Sequence, residues 1–265
     1  MIKSKPTIGF IGAGNMGLPM VKSLIKKGFE VKVYDINPNI TKKLEKDNIK
    51  AVNNLRAVAS NQFIISILPD TQNVESVYNS DTGINSYLKP GTIVVDMKTI
   101  SSSSAIAICK TLQKIQIEFL DAPVSGGVKG ALNANLSIMV GGKKVTYKKS
   151  LDVLNSLGEN IIYAGKLGMG QVFKMCNQIM VGSHIQAMCE AFALCKSKGG
   201  DLKLLKETLM GGSANSWMLE NLGKDIIDKN ENAGFRIDLQ LKDLKLASEA
   251  AFESGVPLPG LSLVL

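Results

Sequence analysis

Up to about residue 164 the chain alternates short, continuous apolar runs with longer stretches of helical periodicity. Residues 7–11, 30–34, 63–67, 92–95 and 117–120 read as strands, with helical patterns at 18–27 and 101–114 between them. Strands this apolar belong to a sheet covered on both faces, and their alternation with helices makes that sheet parallel. A further strand at 136–140, a helix at 145–157 and a short apolar piece at 161–163 complete the pattern. Beyond Ala164 only helical patterns remain, at 168–198, 201–210, 216–227 and 239–253. The expected fold class is α/β, an α/β domain over 1–164 followed by an all-α domain over 165–265.

The run from 168 to 198 is apolar on every side, which predicts a buried helix. Within it Lys174, Asn177 and Gln178 stand at i, i+3 and i+4 and so share one face. An ammonium buried there costs several kcal/mol unless it meets a cleft or a partner. The alternative is a lysine that snorkels its head to the surface. Burial would also lower its pKa.

The first strand runs into Gly12-Ala-Gly14-Asn15-Met16-Gly17, and a helix follows at once. A lone GxGxxG says little, but this one lies between a strand and a helix and has Asp35 about 20 residues on, as a dinucleotide fingerprint requires. Gly12 permits the tight turn, Gly14 lets the backbone approach a pyrophosphate, and Gly17 lets helix and strand pack closely. The helix N-terminus then offers N–H groups and partial positive charge to the phosphates. These features mark the N-terminal domain as dinucleotide-binding. Asp35 suits the two ribose hydroxyls and repels a 2′-phosphate, which favours NAD, while Lys42 and Lys43 keep NADP open. The competing role for Asp35 is a helix cap.

Ligands in such sheets bind beyond the carboxyl ends of the strands. Leu68-Pro69, 96–99 and 121–127 are such ends. The last is Asp-Ala-Pro-Val-Ser125-Gly126-Gly127, whose hydroxyl and unobstructed backbone N–H groups suit a carboxylate or phosphate. Each of these ends is otherwise an ordinary turn.

Composition narrows the function classes. The 265 residues are 45% hydrophobic, ample for a core, and charges interrupt every long apolar run, so no membrane span is expected. The N-terminus lacks a signal-peptide layout. Four cysteines, Cys109, Cys176, Cys189 and Cys195, have no metal-site spacing and read as buried thiols of a cytoplasmic protein. No metal is expected. The formal charge of +8 comes mainly from scattered lysines with no aromatic-interleaved basic stripe, so the expected partners are small anions, not nucleic acid or membrane.

Gly9-Phe-Ile-Gly-Ala-Gly-Asn-Met-Gly17, the 121–127 turn, Ile138-Met-Val-Gly-Gly142, Gly168-Met-Gly-Gln-Val-Phe-Lys174 and Lys242-Asp243 together resemble the β-hydroxyacid dehydrogenase family across essentially the whole chain. Within it, Lys174-Met-Cys-Asn-Gln178 and residues 234–243 are most similar to the tartronate semialdehyde (2-hydroxy-3-oxopropionate) reductases. The resemblance implies an N-terminal Rossmann domain, a helical second domain, and reversible hydride transfer between NAD or NADP and a short hydroxy acid or its semialdehyde. It matches Lys174 to the family's catalytic lysine, with Asn177 beside it. Ser125, Gly126, Gly127 and Gln178 match substrate positions, and Gly12, Gly14, Asn15, Met16, Gly17, Asp35, Leu68, Pro69, Thr99, Phe235 and Lys242 match cofactor positions. It departs at Lys98, usually Ser, and in stopping at Leu265, where relatives continue through further helices. A homodimer or homotetramer is expected. The nearest substrate alternatives are those of 3-hydroxyisobutyrate dehydrogenase and of glyoxylate or succinic semialdehyde reductases. A non-catalytic dinucleotide-binding module is the alternative of another class.

Overall fold

The computed structural model describes residues 5–80, 82–230 and 234–265. Strand β1 (Ile8–Ile11) leads into α1 (Gly17–Lys26) and β2 (Val31–Tyr34), followed by α2 (Pro38–Lys46) and α3 (Leu55–Ala59). Then come β3 (Phe63–Ser66), α4 (Thr71–Asn79), β4 (Ile93–Asp96) and α5 (Ser102–Gln113). After them lie β5 (Glu118–Asp121), β6 (Val124–Ser125), α6 (Gly127–Asn133), β7 (Leu136–Gly142), α7 (Lys144–Leu154) and β8 (Gly158–Gly165). The chain ends in α8 (Met169–Ser197), α9 (Leu202–Met210), α10 (Trp217–Ile227), α11 (Ile237–Glu253) and α12 (Pro259–Val264).

The sheet order is β2-β1-β3-β4-β5-β7-β6, with β8 beside β7. Strands β2, β1, β3, β4 and β5 are parallel, as their unbroken apolar runs require. Ile8 and Phe10 bury one face and Ile11 and Ile64 the other, so two separate cores cover the sheet. The far edge departs from the expected all-parallel sheet. Strand β7 runs antiparallel to both β5 and β6, because β6 and the short α6 form a tight return too brief for a crossover. The apolar piece at 161–163 is the centre of an eight-residue strand, β8, parallel to β7.

Two compact units result, Met1–Lys174 and Met175–Leu265. In the helical unit, Met188 and Phe192 of α8 pack with Leu219 of α10 and with Leu202, Leu205 and Leu209 of α9. Gly182 permits close packing of α8, since a Cβ there would meet Val264, Gln240 and Leu244. The 29-residue α8 is not buried all round as its sequence suggested. Phe173, Met180 and Leu194 are 41%, 55% and 65% exposed. The expectation of buried thiols also fails in part: Cys109 is buried, Cys195 is intermediate, and Cys176 and Cys189 are exposed. Among the described residues no helix is long and apolar enough to cross a membrane.

Candidate active site

The carboxyl ends of the five parallel strands lie in register. Tyr34 pairs with Ile11, Ile11 with Ser66, Ser66 with Asp96, and Asp96 with Asp121. This row forms a shelf; Gly12, Gly14, Asn15, Met16, Gly17, Asp35, Leu68, Pro69 and Thr99 follow its strands or begin the adjoining helix, while Ser125, Gly126 and Gly127 close β6 and open α6. Strand order reverses at β1, which has β2 on one side and β3 on the other. That is the switch point at which doubly wound sheets bind nucleotides.

The turn after β1 fits a dinucleotide. Gly12 has φ of +92°, and a Cβ there would meet the Ile67 carbonyl oxygen at 2.5 Å. Gly14 faces open space, with nothing within 4 Å of a built Cβ. A Cβ on Gly17 would collide with the Gly12 carbonyl, so only glycine lets α1 start this close to β1. No side chain caps α1, which leaves its positive end for a pyrophosphate. Asn15 is exposed and Met16 half-buried beside it.

Asp35 is not a helix cap; Asn37 caps α2 by accepting from the Asn39 N–H. Asp35 instead ties β2 to the glycine turn. Its Oδ2 accepts from the Ala13 N–H at 2.7 Å and its Oδ1 from the Asn37 N–H at 2.8 Å. Each oxygen retains acceptor capacity for a ribose hydroxyl. Leu68 and Pro69 lie after β3, just before Asp70, which caps α4. Thr99 is buried after β4. Ser125 closes β6, and Gly126 and Gly127 follow with φ of +127° and +61°. A built Cβ on Gly127 meets nothing within 4 Å, which leaves its N–H approachable.

Two buried carboxylates underlie the shelf. Asp121, at the end of β5, accepts from the Gly168 N–H at 2.8 Å through Oδ1 and from the Gln171 N–H at 3.0 Å through Oδ2. It therefore serves the N-terminus of α8 as a cap supplied from a distant strand. Gly170 makes room for it, since a Cβ there would meet Asp121 Oδ2 at 2.7 Å. Burial raises the Asp121 pKa to about 6 against the opposing pull of those backbone N–H groups. Asp96, at the end of β4, accepts from Ser66 Oγ at 2.7 Å. Its pKa rises to about 7, chiefly through burial, while Ser66 and the Lys98 N–H pull the other way and Asp121 adds repulsion.

Lys174 lies on α8 one turn beyond this cap and is only 6% exposed, so it does not snorkel to the surface. In the helical unit, the Asn177 side chain donates to Gln178 Oε1 at 2.8 Å. Gln178 Nε2 donates to Gln240 Oε1 at 2.9 Å and to Asp243 Oδ2 at 2.8 Å. Lys242 pairs with the other Asp243 oxygen at 2.6 Å. Phe235 is half exposed just before α11. Among the described residues no three His, Cys, Asp or Glu side chains gather as a metal site.

Residues 7–165 match the NAD-binding domain of 6-phosphogluconate dehydrogenase, and residues 168–265 match the NAD-binding domain of NADP-dependent 3-hydroxyisobutyrate dehydrogenase. The chain belongs to the 3-hydroxyisobutyrate dehydrogenase family. Rattus norvegicus mitochondrial 3-hydroxyisobutyrate dehydrogenase is 35% identical over 96% of this chain and 78% of its own length. Escherichia coli 2-hydroxy-3-oxopropionate reductase is 35% identical over 95% of this chain and 86% of its own. The structure of Mycobacterium tuberculosis 3-hydroxyisobutyrate dehydrogenase with L-serine superimposes with a TM-score of 0.91 at 30% identity, covering 98% of this chain and 91% of that one.

This family member is an NAD(P)-dependent oxidoreductase of the β-hydroxyacid dehydrogenase type. In the sequence Asp121 and Asp96 stand at ordinary strand ends, and no motif gives Gln171 a role. Gln171 had a usable signal, since it stands three residues before Lys174 on the same helical face. Asp121 acts on residues 47 and 50 positions away, which spacing alone does not reveal.

Proposed function

We propose that the protein interconverts a short β-hydroxy acid and its semialdehyde, with 2-hydroxy-3-oxopropionate (tartronate semialdehyde) as the substrate reduced. The observation that carries this reading is the buried Lys174, one turn past a helix start capped by Asp121. When bound, the nicotinamide supplies a hydride to the aldehyde carbon or takes one up in the reverse direction. The glycine turn, Asp35, Leu68, Pro69 and Thr99 hold that cofactor. Lys174 Nζ donates a proton to the substrate oxygen as negative charge develops on it, and takes the proton back in the oxidising direction. Ser125 and the backbone N–H groups of Gly126 and Gly127 hold the substrate carboxylate. Asn177 orients the reacting hydroxyl. Gln178, with its amide committed to Asn177, Gln240 and Asp243, supports Asn177.

The test is a panel of C3–C4 semialdehydes and glyoxylate with NADH or NADPH, followed at the nicotinamide absorbance band. Fastest turnover is expected on 2-hydroxy-3-oxopropionate. Preference for the 3-hydroxyisobutyrate-related semialdehyde or for glyoxylate would reassign the substrate. Cofactor binding without any turnover would return the chain to a dinucleotide-binding module.

Asp35 makes NAD(H) the preferred cofactor, because its carboxylate accepts from ribose hydroxyls and repels a 2′-phosphate. The expected result is a kcat/KM at least about tenfold higher with NADH than with NADPH, roughly 1.4 kcal/mol of discrimination. A preference for NADPH would mean that Lys42 and Lys43 override the carboxylate.

The protein is proposed to form a homo-oligomer through α8. Phe173, Cys176, Met180, Ala187 and Leu194 are all exposed, and spacings of three, four, seven and seven residues align them along one side of the helix. A stripe with this repeat suits packing against the same stripe of a second copy around a two-fold axis. Light scattering should give at least a dimer, and Met180→Glu should shift it towards monomer. A wild-type monomer that binds no apolar dye would overturn this assembly.

A further inference from the structure

Gln171 is completely buried in the first turns of α8. Its side-chain amide spans a backbone segment of a different strand end. The Ile100 N–H donates to Gln171 Oε1 at 3.0 Å, and Gln171 Nε2 donates to the Lys98 carbonyl at 2.8 Å. The residue between those two partners is Thr99. Through its own backbone N–H, Gln171 is also held by the Asp121 carboxylate. One residue thus joins the end of β5, the turn after β4 and the start of α8.

Lys174 follows three residues later on the same helical face, about 4.5 Å further along the axis at 1.5 Å per residue. We propose that Gln171 is a positioning residue: its amide fixes the Lys98–Ile100 turn against the helix that carries Lys174, and so sets the spacing between Thr99 and the lysine. This rests on the hydride-transfer reading given above, which makes Thr99 a cofactor contact and Lys174 the proton donor.

The side-chain chemistry is specific to an amide. Pairing an N–H and a C=O that flank one residue requires an acceptor and a donor on one planar group, as in a peptide. Leucine supplies neither. Glutamate can accept from Ile100, but its charged form turns a second acceptor towards the Lys98 carbonyl. Protonation of that glutamate would restore the donor, so Gln171→Glu should work in acid and fail in base.

The experiment compares wild type, Gln171→Leu and Gln171→Glu by steady-state kinetics across pH and by hydrogen exchange at the Ile100 amide. For Gln171→Leu, kcat is expected to fall roughly a hundredfold, the loss that follows from about 1 Å of misplacement, with KM for the semialdehyde changed far less. Exchange at Ile100 should accelerate while β4 stays protected. For Gln171→Glu, kcat should rise towards the wild-type value as pH falls, a dependence that loss of packing alone would not produce.

Should Gln171→Leu fail to fold, the pH profile of Gln171→Glu decides. A kcat within twofold of wild type in a folded Gln171→Leu, unchanged exchange at Ile100, or a Gln171→Glu profile parallel to wild type would overturn the proposal. Absence of turnover by the wild type would instead overturn the functional reading, and exchange at Ile100 would still report whether Gln171 holds the turn.

Discussion

On the proposed function, replacing Lys174 by alanine is expected to lower kcat roughly a thousandfold, within the range that loss of a positioned proton donor produces, and to leave dinucleotide affinity within about twofold. The split follows from location. The glycine turn and Asp35 lie after β1 and β2, whereas Lys174 lies on α8 beyond β8. Lys174→Arg should not rescue turnover, because a guanidinium keeps its charge but does not release its proton near neutral pH. Steady-state kinetics with NADH fluorescence titration separates the two effects. Near-normal turnover in the alanine variant would remove Lys174 from the chemistry.

The second large effect concerns stability. Asp96 is fully buried, and among the described residues its Oδ2 has no hydrogen-bond partner. Its folded-state pKa of about 7 lies some 3 units above an unfolded aspartate, mainly because burial penalises the charge. The folded state therefore holds a proton that the unfolded state has lost between about pH 4 and pH 7. Stability must fall as pH rises through that window, by about 4 kcal/mol from this group at 1.36 kcal/mol per unit. Asp121, raised to about 6, adds a slope of the same sign over a narrower window.

Asp96→Asn removes the titration and keeps a carbonyl to accept from Ser66. The variant is expected to be more stable than wild type by about 2 kcal/mol at pH 8.5, the remainder offset by burying a new N–H₂ group, with the advantage gone near pH 5. Urea denaturation of both proteins at several pH values measures the difference directly and cancels the Asp121 slope. A constant difference between them would show that Asp96 titrates normally.

The dinucleotide half of the fold was legible because its signals are local. An apolar strand, three glycines and an acid about 20 residues on all act through adjacent elements, and the structure places Gly12, Gly14, Gly17 and Asp35 around one turn. What escaped was either short or remote. Helices α2 and α3 have nine and five residues, and polar α2 fully buries only Leu44, with Ile40 partly buried against the same core. The reversal of β7 depends on the two-residue β6, too short to show a period. The outer face of α8 was misjudged because composition reports that a helix is apolar but not which side the rest of the chain covers. Asp96 and Asp121 looked like ordinary turn residues, since burial and partners 30 to 50 residues away give them their properties.

On the proposed function, the registered row of strand ends also separates two kinds of specificity. From β2, which leads to Asp35, to β5, which leads towards Ser125, there are four inter-strand steps. At roughly 4.8 Å each they span about 19 Å, well beyond the 7–10 Å within which substitutions commonly couple. Changes that retune the choice of dinucleotide at one end and of acid at the other should therefore add in free energy, so the two preferences can be engineered, or can drift, independently.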